Sequence, residues 1–167
     1  VEGLAELGAD TFIRVGTSGV MQPWVQSGDL VVALGSVRDE GASRGYLPLA
    51  YPAAAHPAIV AALAAGCAQS KCAYHVGLVH SKDSLYGEWE PKRMPVSAEL
   101  RENWQTWIKA GVLCSEMELA AIMTVAAVLR KRAGGLLIAL KDDRPLEPLC
   151  RAAVRGLQEL IERDRRG

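Results

Sequence analysis

Charge of one sign, long apolar runs, paired cysteines and aromatic rings are all in short supply in this chain of 167 residues. The 19 basic side chains are matched by 19 acidic ones, a formal net charge of +0 at pH 7. A protein that holds nucleic acid by neutralising phosphates needs a basic excess, so no nucleic acid is expected among the partners. The most apolar stretch, Leu119 to Leu129, is cut off by Arg130-Lys131-Arg132, far short of a bilayer's thickness, and no membrane span is expected. The opening Val1-Glu2-Gly3 has neither the basic nor the apolar part of a secretory leader, which points to a cytoplasmic location. Cys67, Cys72, Cys114 and Cys150 form no CxxC pair, and Cys72 with His75 makes half a zinc site at most. The thiols therefore read as buried, with no metal expected. The glycine-containing stretches match neither a Walker loop, which ends in Gly-Lys-Ser/Thr, nor a dinucleotide fingerprint.

Hydrophobic residues make up 50% of the chain and charged ones 23%, a balance that supports a folded core. A chain of this length buries roughly 70% of the surface it exposes when unfolded, so one domain over 1–167 is expected to stand without staples. Thr11 to Val15, Leu30 to Val37, Tyr74 to His80, Val112 to Ser115 and Leu136 to Leu140 read as strands. His56 to Ala68 sets Ile59, Val60, Leu63, Ala64 and Cys67 on one helical face. Ser97 to Ala110 does the same for Leu100, Trp104, Trp107 and Ile108, with Ser97 as N-cap and Gly111 as the stop. Met117 to Leu129 is apolar nearly all round, the mark of a buried helix. Glu147 to Arg163 closes the chain, with Cys150, Ala153, Val154, Leu157, Leu160 and Ile161 predicted inward. Strands and helices that interleave in this way define an α/β domain. Lys82 to Pro95 shows no clear period and is long enough for a functional loop.

Three segments hold candidate chemistry. In Arg14-Val-Gly16-Thr17-Ser-Gly19 a strand carrying an arginine is expected to run into a turn of glycines and hydroxyls. Such a turn suits an oxyanion, because glycine lets backbone amides approach and a guanidinium clamps phosphate with two prongs; a plain turn with Arg14 in solvent is the simpler alternative. Ser115-Glu116-Met117-Glu118 opens the buried helix. A carboxylate there can accept bonds from both hydroxyls of a ribose, while Ser115 with Glu118 three residues on also reads as a capping box. The loop from Ser81 to Pro95 combines Tyr86 and Trp89 with Glu88, Lys92 and Arg93. It offers the stacking area and polar edges of a ring pocket, or else a surface loop plugged by Trp89.

Taken in combination these segments resemble the nucleoside phosphorylase family, and within it the uridine phosphorylases. Thr11-Phe-Ile-Arg14-Val-Gly16-Thr17-Ser-Gly19, followed by Pro23 and Gly28-Asp29, resembles the family's phosphate strand; Ser36-Val-Arg38 with Gly41-Ala-Ser43 is similar to the segment after it. Lys82-Asp-Ser-Leu-Tyr-Gly87 through Glu90-Pro-Lys-Arg93-Met-Pro95 resembles the base loop, and Ser115-Glu-Met-Glu118 the ribose signature. The resemblance implies a central mixed β-sheet flanked by helices. It implies that Arg14, Gly16 and Thr17 hold phosphate, that Glu116, Met117 and Glu118 serve the ribose, and that Leu85, Tyr86, Glu88 and Arg93 serve the base, with Arg93 the donor to a pyrimidine carbonyl. The implied reaction is reversible phosphorolysis of uridine to uracil and ribose 1-phosphate. It needs inorganic phosphate as co-substrate and no cofactor, and it implies a homodimer or higher homo-oligomer. Against the family pattern, the N-terminal third with its glycine-rich phosphate loop has no counterpart before Val1. Leu85 stands where phenylalanine is usual, no glutamine accompanies Glu88 and Trp89, and Leu140 to Pro145 is a short link where a lid is usual. These departures leave a second reading open, a non-catalytic homologue that acts as an interaction or structural subunit.

Overall fold

The computed structural model describes residues 1–166. After a short helix α1 (Glu2–Glu6) come strands β1 (Thr11–Val20), β2 (Leu30–Asp39) and β3 (Ala53–Ala54), then helix α2 (Pro57–Gln69) and strand β4 (Tyr74–Lys82). They are followed by α3 (Leu85–Trp89), α4 (Ser97–Lys109), β5 (Cys114–Glu116), α5 (Leu119–Val128), β6 (Arg132–Leu140) and α6 (Glu147–Arg166). The strands join in the order β3-β2-β4-β5-β1-β6. β1 runs parallel to β6, β2 parallel to β4 and β4 parallel to β5, whereas β1 and β5 are antiparallel. The start of β2, Leu30 to Val32, also pairs antiparallel with Ile138 to Leu136 of β6. The mixed sheet thus curls back on itself into a ring of five strands, with β3 on its rim. This is the expected α/β architecture, a mixed sheet flanked by helices.

Two apolar clusters hold the layers. On one side Val31, Ala33, Val79, Cys114 and Leu137 pack against Leu119, Ala120 and Met123 of α5. On the other, Leu30, Val32, Leu136 and Ile138 meet Ile59 and Leu63 of α2 and Ala152, Ala153 and Leu160 of α6. α2 starts at Pro57, whose missing N–H costs nothing in the first turn, and His56 Nδ1 accepts from the Ala58 amide at 3.3 Å. Where α2 and α6 cross, Gly66 and Gly156 let the two backbones touch. α4 ends at Gly111, whose φ of +82° is a conformation that glycine adopts without a Cβ penalty.

Several expectations change. Ser97 does not cap α4; it is that helix's first residue, and no side chain caps its start. In α6 the inward residues are Leu149, Ala152, Ala153, Gly156 and Leu160, while Val154, Leu157 and Ile161 face outward. The small residues face α2 because close approach of two helices needs them, so the bulkier apolar stripe is the one left outside. The thiols also divide, with Cys67 and Cys114 buried, Cys72 half-buried and Cys150 exposed.

Burial pushes the Cys67 and Cys114 thiols up to about 12, because an anion there would be stripped of water. At pH 8 a thiol-directed alkylating reagent is therefore expected to modify Cys150 quickly. Cys67 and Cys114 should stay unlabelled until the chain unfolds, and intact-mass measurement counts the adducts. The unfolded chain gives up these protons near pH 9 and the folded one does not until about 12. Stability is consequently lost as pH rises through that window.

Candidate functional site

The register of three strands assembles two polar clusters at one end of the sheet. Ser81 of β4 lies opposite Glu116 of β5, and Gly19 of β1 lies opposite Ser115. Residues alternate between faces along a strand, so Glu116 and Ser81 form one cluster, and Ser115, His80 and Lys82 form the other.

Glu116 is 3% exposed and fully engaged. Its Oε1 accepts from the Ser81 hydroxyl, and its Oε2 accepts from the amides of Glu118 and Leu119 at 2.8 and 2.9 Å. The Arg14 Nε stands 3.4 Å from the same carboxylate, and Arg14 Nη2 pairs with Glu118. Arg14 Nη1 is buried and finds no hydrogen-bond partner among the described residues. A Cβ at residue 16 would lie 2.6 Å from that Nη1, so Gly16 is the space in which the guanidinium lies. A half-buried guanidinium with an unused donor, beside a carboxylate whose side chain is 54% exposed, is equipped to take an oxyanion and a hydroxyl together.

The second cluster is centred on Ser115, which is 1% exposed. Its hydroxyl accepts from Lys82 Nζ at 2.8 Å and donates to Glu88 Oε2 at 2.7 Å, with His80 Nδ1 3.2 Å away. Lys82 Nζ also pairs with Glu88 Oε2 at 2.6 Å, and both side chains are nearly buried. His80 Nε2 meets Asp39 Oδ2 at 2.9 Å, and its ring lies near Trp104 and Trp107. Glu88 Oε1 rests over β1, 3.2 Å from where a Cβ of residue 19 would be. Behind the pair opens a cavity of about 400 Å³, walled by Asp39, His80, Leu100, Trp104 and Trp107.

The sequence model of the family described as the phosphorylase superfamily matches residues 1–155. The chain belongs to the phosphorylase superfamily. Among its curated relatives, the uridine phosphorylase of Treponema pallidum is 39% identical over 98% of this chain and 68% of its own length. The uridine phosphorylase of Escherichia coli is 36% identical over 80% of this chain and 54% of its own, and the guanosine phosphorylase of Halorubrum lacusprofundi 33% identical over 81% and 52%. The chain thus spans about half to two thirds of the length of these relatives.

In this superfamily member the residues nominated from sequence divide. Arg14, Gly16, Glu116 and Glu118 come together as described, with Thr17 exposed on β1 and Met117 half-buried beside Glu118. Glu88 alone of the four base-loop nominees reaches the cavity. Tyr86 and Trp89 are 57% and 67% exposed and stack edge-on against each other, and Leu85 is exposed too. Arg93 pairs with Glu90 at 2.7 Å, its side chain 63% exposed. The expected turn at Gly16 to Gly19 is absent, because β1 runs unbroken to Val20. Its glycines leave room for Arg14 and Glu88. The capping box is replaced as well: Ser115 lies within β5, and Glu116 holds the first amides of α5. Lys82 and His80 were not nominated, although both end a strand at alternate positions, which places them on one face.

Proposed function

We propose that the chain carries out reversible phosphorolysis of a pyrimidine nucleoside, converting uridine and phosphate to uracil and ribose 1-phosphate. The observation that carries this reading is the unused, buried Nη1 of Arg14 beside the exposed Glu118 carboxylate. Curated uridine phosphorylases related over 80% and 98% of the chain support the same reaction. In this reading Arg14 and Thr17 grip phosphate, and Glu118 accepts from the ribose hydroxyls while Met117 lies against the sugar. A phosphate oxygen attacks C1′, the C1′–N1 bond breaks with its electron pair passing to the base, and the proton carried by phosphate ends on the base nitrogen. Positive charge gathers on the sugar in such a transition state, where the phosphate anion stabilises it.

Release of uracil from uridine by the purified protein, with and without phosphate and with inosine for comparison, tests the reading. Phosphate-dependent release is expected. A folded protein that releases base from neither nucleoside would leave the non-catalytic subunit as the better account. Arg14→Ala removes charged hydrogen bonds worth about 1.5–3 kcal/mol, so it should raise the phosphate requirement roughly 10- to 100-fold and change nucleoside binding little. An unaltered phosphate dependence of the rate would sink the assignment.

A further inference from the structure

The proposed reaction needs a donor at the leaving base, and Arg93, the cation nominated for that task from sequence, points into solvent beside Glu90. We propose that Lys82 fills this role. In this assignment, which rests on the phosphorolysis reading, its ammonium donates to a base carbonyl while Glu88 Oε1 accepts the neighbouring ring N–H. The substrates are then nucleosides whose base presents a carbonyl next to an N–H, as uracil and the 6-oxopurines do.

Four observations carry the assignment. Lys82 is 8% exposed, so its ammonium is held out of bulk water, a state lysine adopts when it is paired. Two of its three N–H groups are spent, one on Glu88 Oε2 at 2.6 Å and one on Ser115 Oγ at 2.8 Å, and the third has no partner among the described residues. The opposite oxygen, Glu88 Oε1, likewise accepts no hydrogen bond among the described residues and lies over Gly19. Finally, Gly19 is two residues along β1 from Thr17, a rise of roughly 6.6 Å. That spacing suits a nucleoside laid along β1, its sugar and phosphate by Thr17 and its base by Gly19. The absence of a side chain at Gly19 lets the Glu88 carboxylate settle over β1, at the position this assignment gives the base edge.

The arrangement also explains why the pair is built as it is. Ser115 and Glu88 grip the ammonium from two sides, and Ser115 is itself held by His80 Nδ1, with Asp39 on that ring's far nitrogen. A donor fixed in this way needs no reorganisation when charge arrives on the base, which is the condition for electrostatic stabilisation of a leaving group. As the C1′–N1 bond breaks, its electron pair spreads from N1 onto the base carbonyls, and Lys82 meets the charge there without giving up its proton.

The test compares the wild type with Lys82→Met and with the double variant Lys82→Met, Glu88→Gln. The double variant removes both buried charges together, so it remains interpretable where the single one fails to fold. Base release is followed from uridine and from 5-fluorouridine, whose fluorine already stabilises the departing anion. The variants are expected to lose about a hundredfold in turnover of uridine and less than about tenfold with 5-fluorouridine. Equal losses on the two substrates would overturn the assignment, because a residue that only shapes the site does not distinguish leaving groups. Calorimetric binding of free uracil supplies a second readout that does not depend on turnover. The wild type is expected to bind uracil and the variants to bind it at least tenfold more weakly. If the wild type proves inactive on every nucleoside yet binds uracil through Lys82, phosphorolysis falls and the base reader stands. Equal uracil binding by wild type and variants, or none by the wild type, overturns Lys82. Turnover of uridine lost on Arg93→Ala but kept by the Lys82 variants would return the role to Arg93.

Discussion

Glu116→Ala is expected to lower the unfolding free energy by about 3–5 kcal/mol, the usual cost of breaking a buried ion pair from one side. Two contributions add at this position. The Arg14 guanidinium, already short of one partner, loses the carboxylate at its Nε and keeps only the exposed Glu118. In addition, the amides of Glu118 and Leu119 and the Ser81 hydroxyl lose their acceptor. Those amides open α5, the helix that fills one face of the ring. Glu116→Gln retains one acceptor oxygen for the amides and should cost roughly half as much. Urea unfolding of the three proteins measures both differences. A loss under about 1 kcal/mol for alanine would show that water replaces the carboxylate and that the cluster does not hold the helix.

Gly66→Ala should cost about 3 kcal/mol, at the upper end of what one added methyl does in a packed core. The new Cβ would stand 2.5 Å from the Ala152 carbonyl oxygen and 2.8 Å from Gly156 Cα. Both are backbone atoms, so no rotamer change relieves the contact, and α2 and α6 have to move apart. Separation then opens space around Leu63 and Leu160, which rely on that approach for their packing. Gly3→Ala is the control, because a Cβ there meets nothing within 4 Å, and thermal unfolding reports both. If Gly66→Ala unfolded at the wild-type temperature, the helix contact would be looser than the structure has it.

Most of the secondary structure follows from periodicity, and the misreadings share one physical cause. A sequence records which residue stands at a position and not what approaches it. Gly16 and Gly19 read as a turn because glycine is common in turns. In the fold they lie in an unbroken strand, where missing side chains make room for Arg14 and Glu88. In α6 hydrophobicity favoured Val154, Leu157 and Ile161 as the buried face, yet Ala152 and Gly156 allow α2 the closer approach. The acidic pair at β5 was readable as a site, but the spacing rule assigned the helix cap to Ser115 and Glu118 when Glu116 provides it. Lys82 was within reach of the same reasoning. With β4 read two residues beyond His80, alternation alone would have set His80 and Lys82 on one face. That Arg93 lies exposed beside Glu90 is a matter of tertiary packing, which no local pattern encodes.

The closure of the sheet through β6 sets the order in which the molecule can assemble. β6 pairs with Thr11 to Gly19 of β1 and with Leu30 to Val32 of β2, residues that precede their partners by more than 100 positions. During synthesis both early strands therefore wait with an open edge until Leu140 is available, and an open edge invites pairing with other chains. β2 is the better protected of the two, because β4 can join it along its other side once Lys82 has been made. β1 has no such early companion, since β5 covers only Gly19 and Val20. The strand that carries Arg14, Gly16 and Thr17 is thus the last to be secured, and the cluster of Arg14 with Glu116 and Glu118 takes shape only when nearly the whole chain is present.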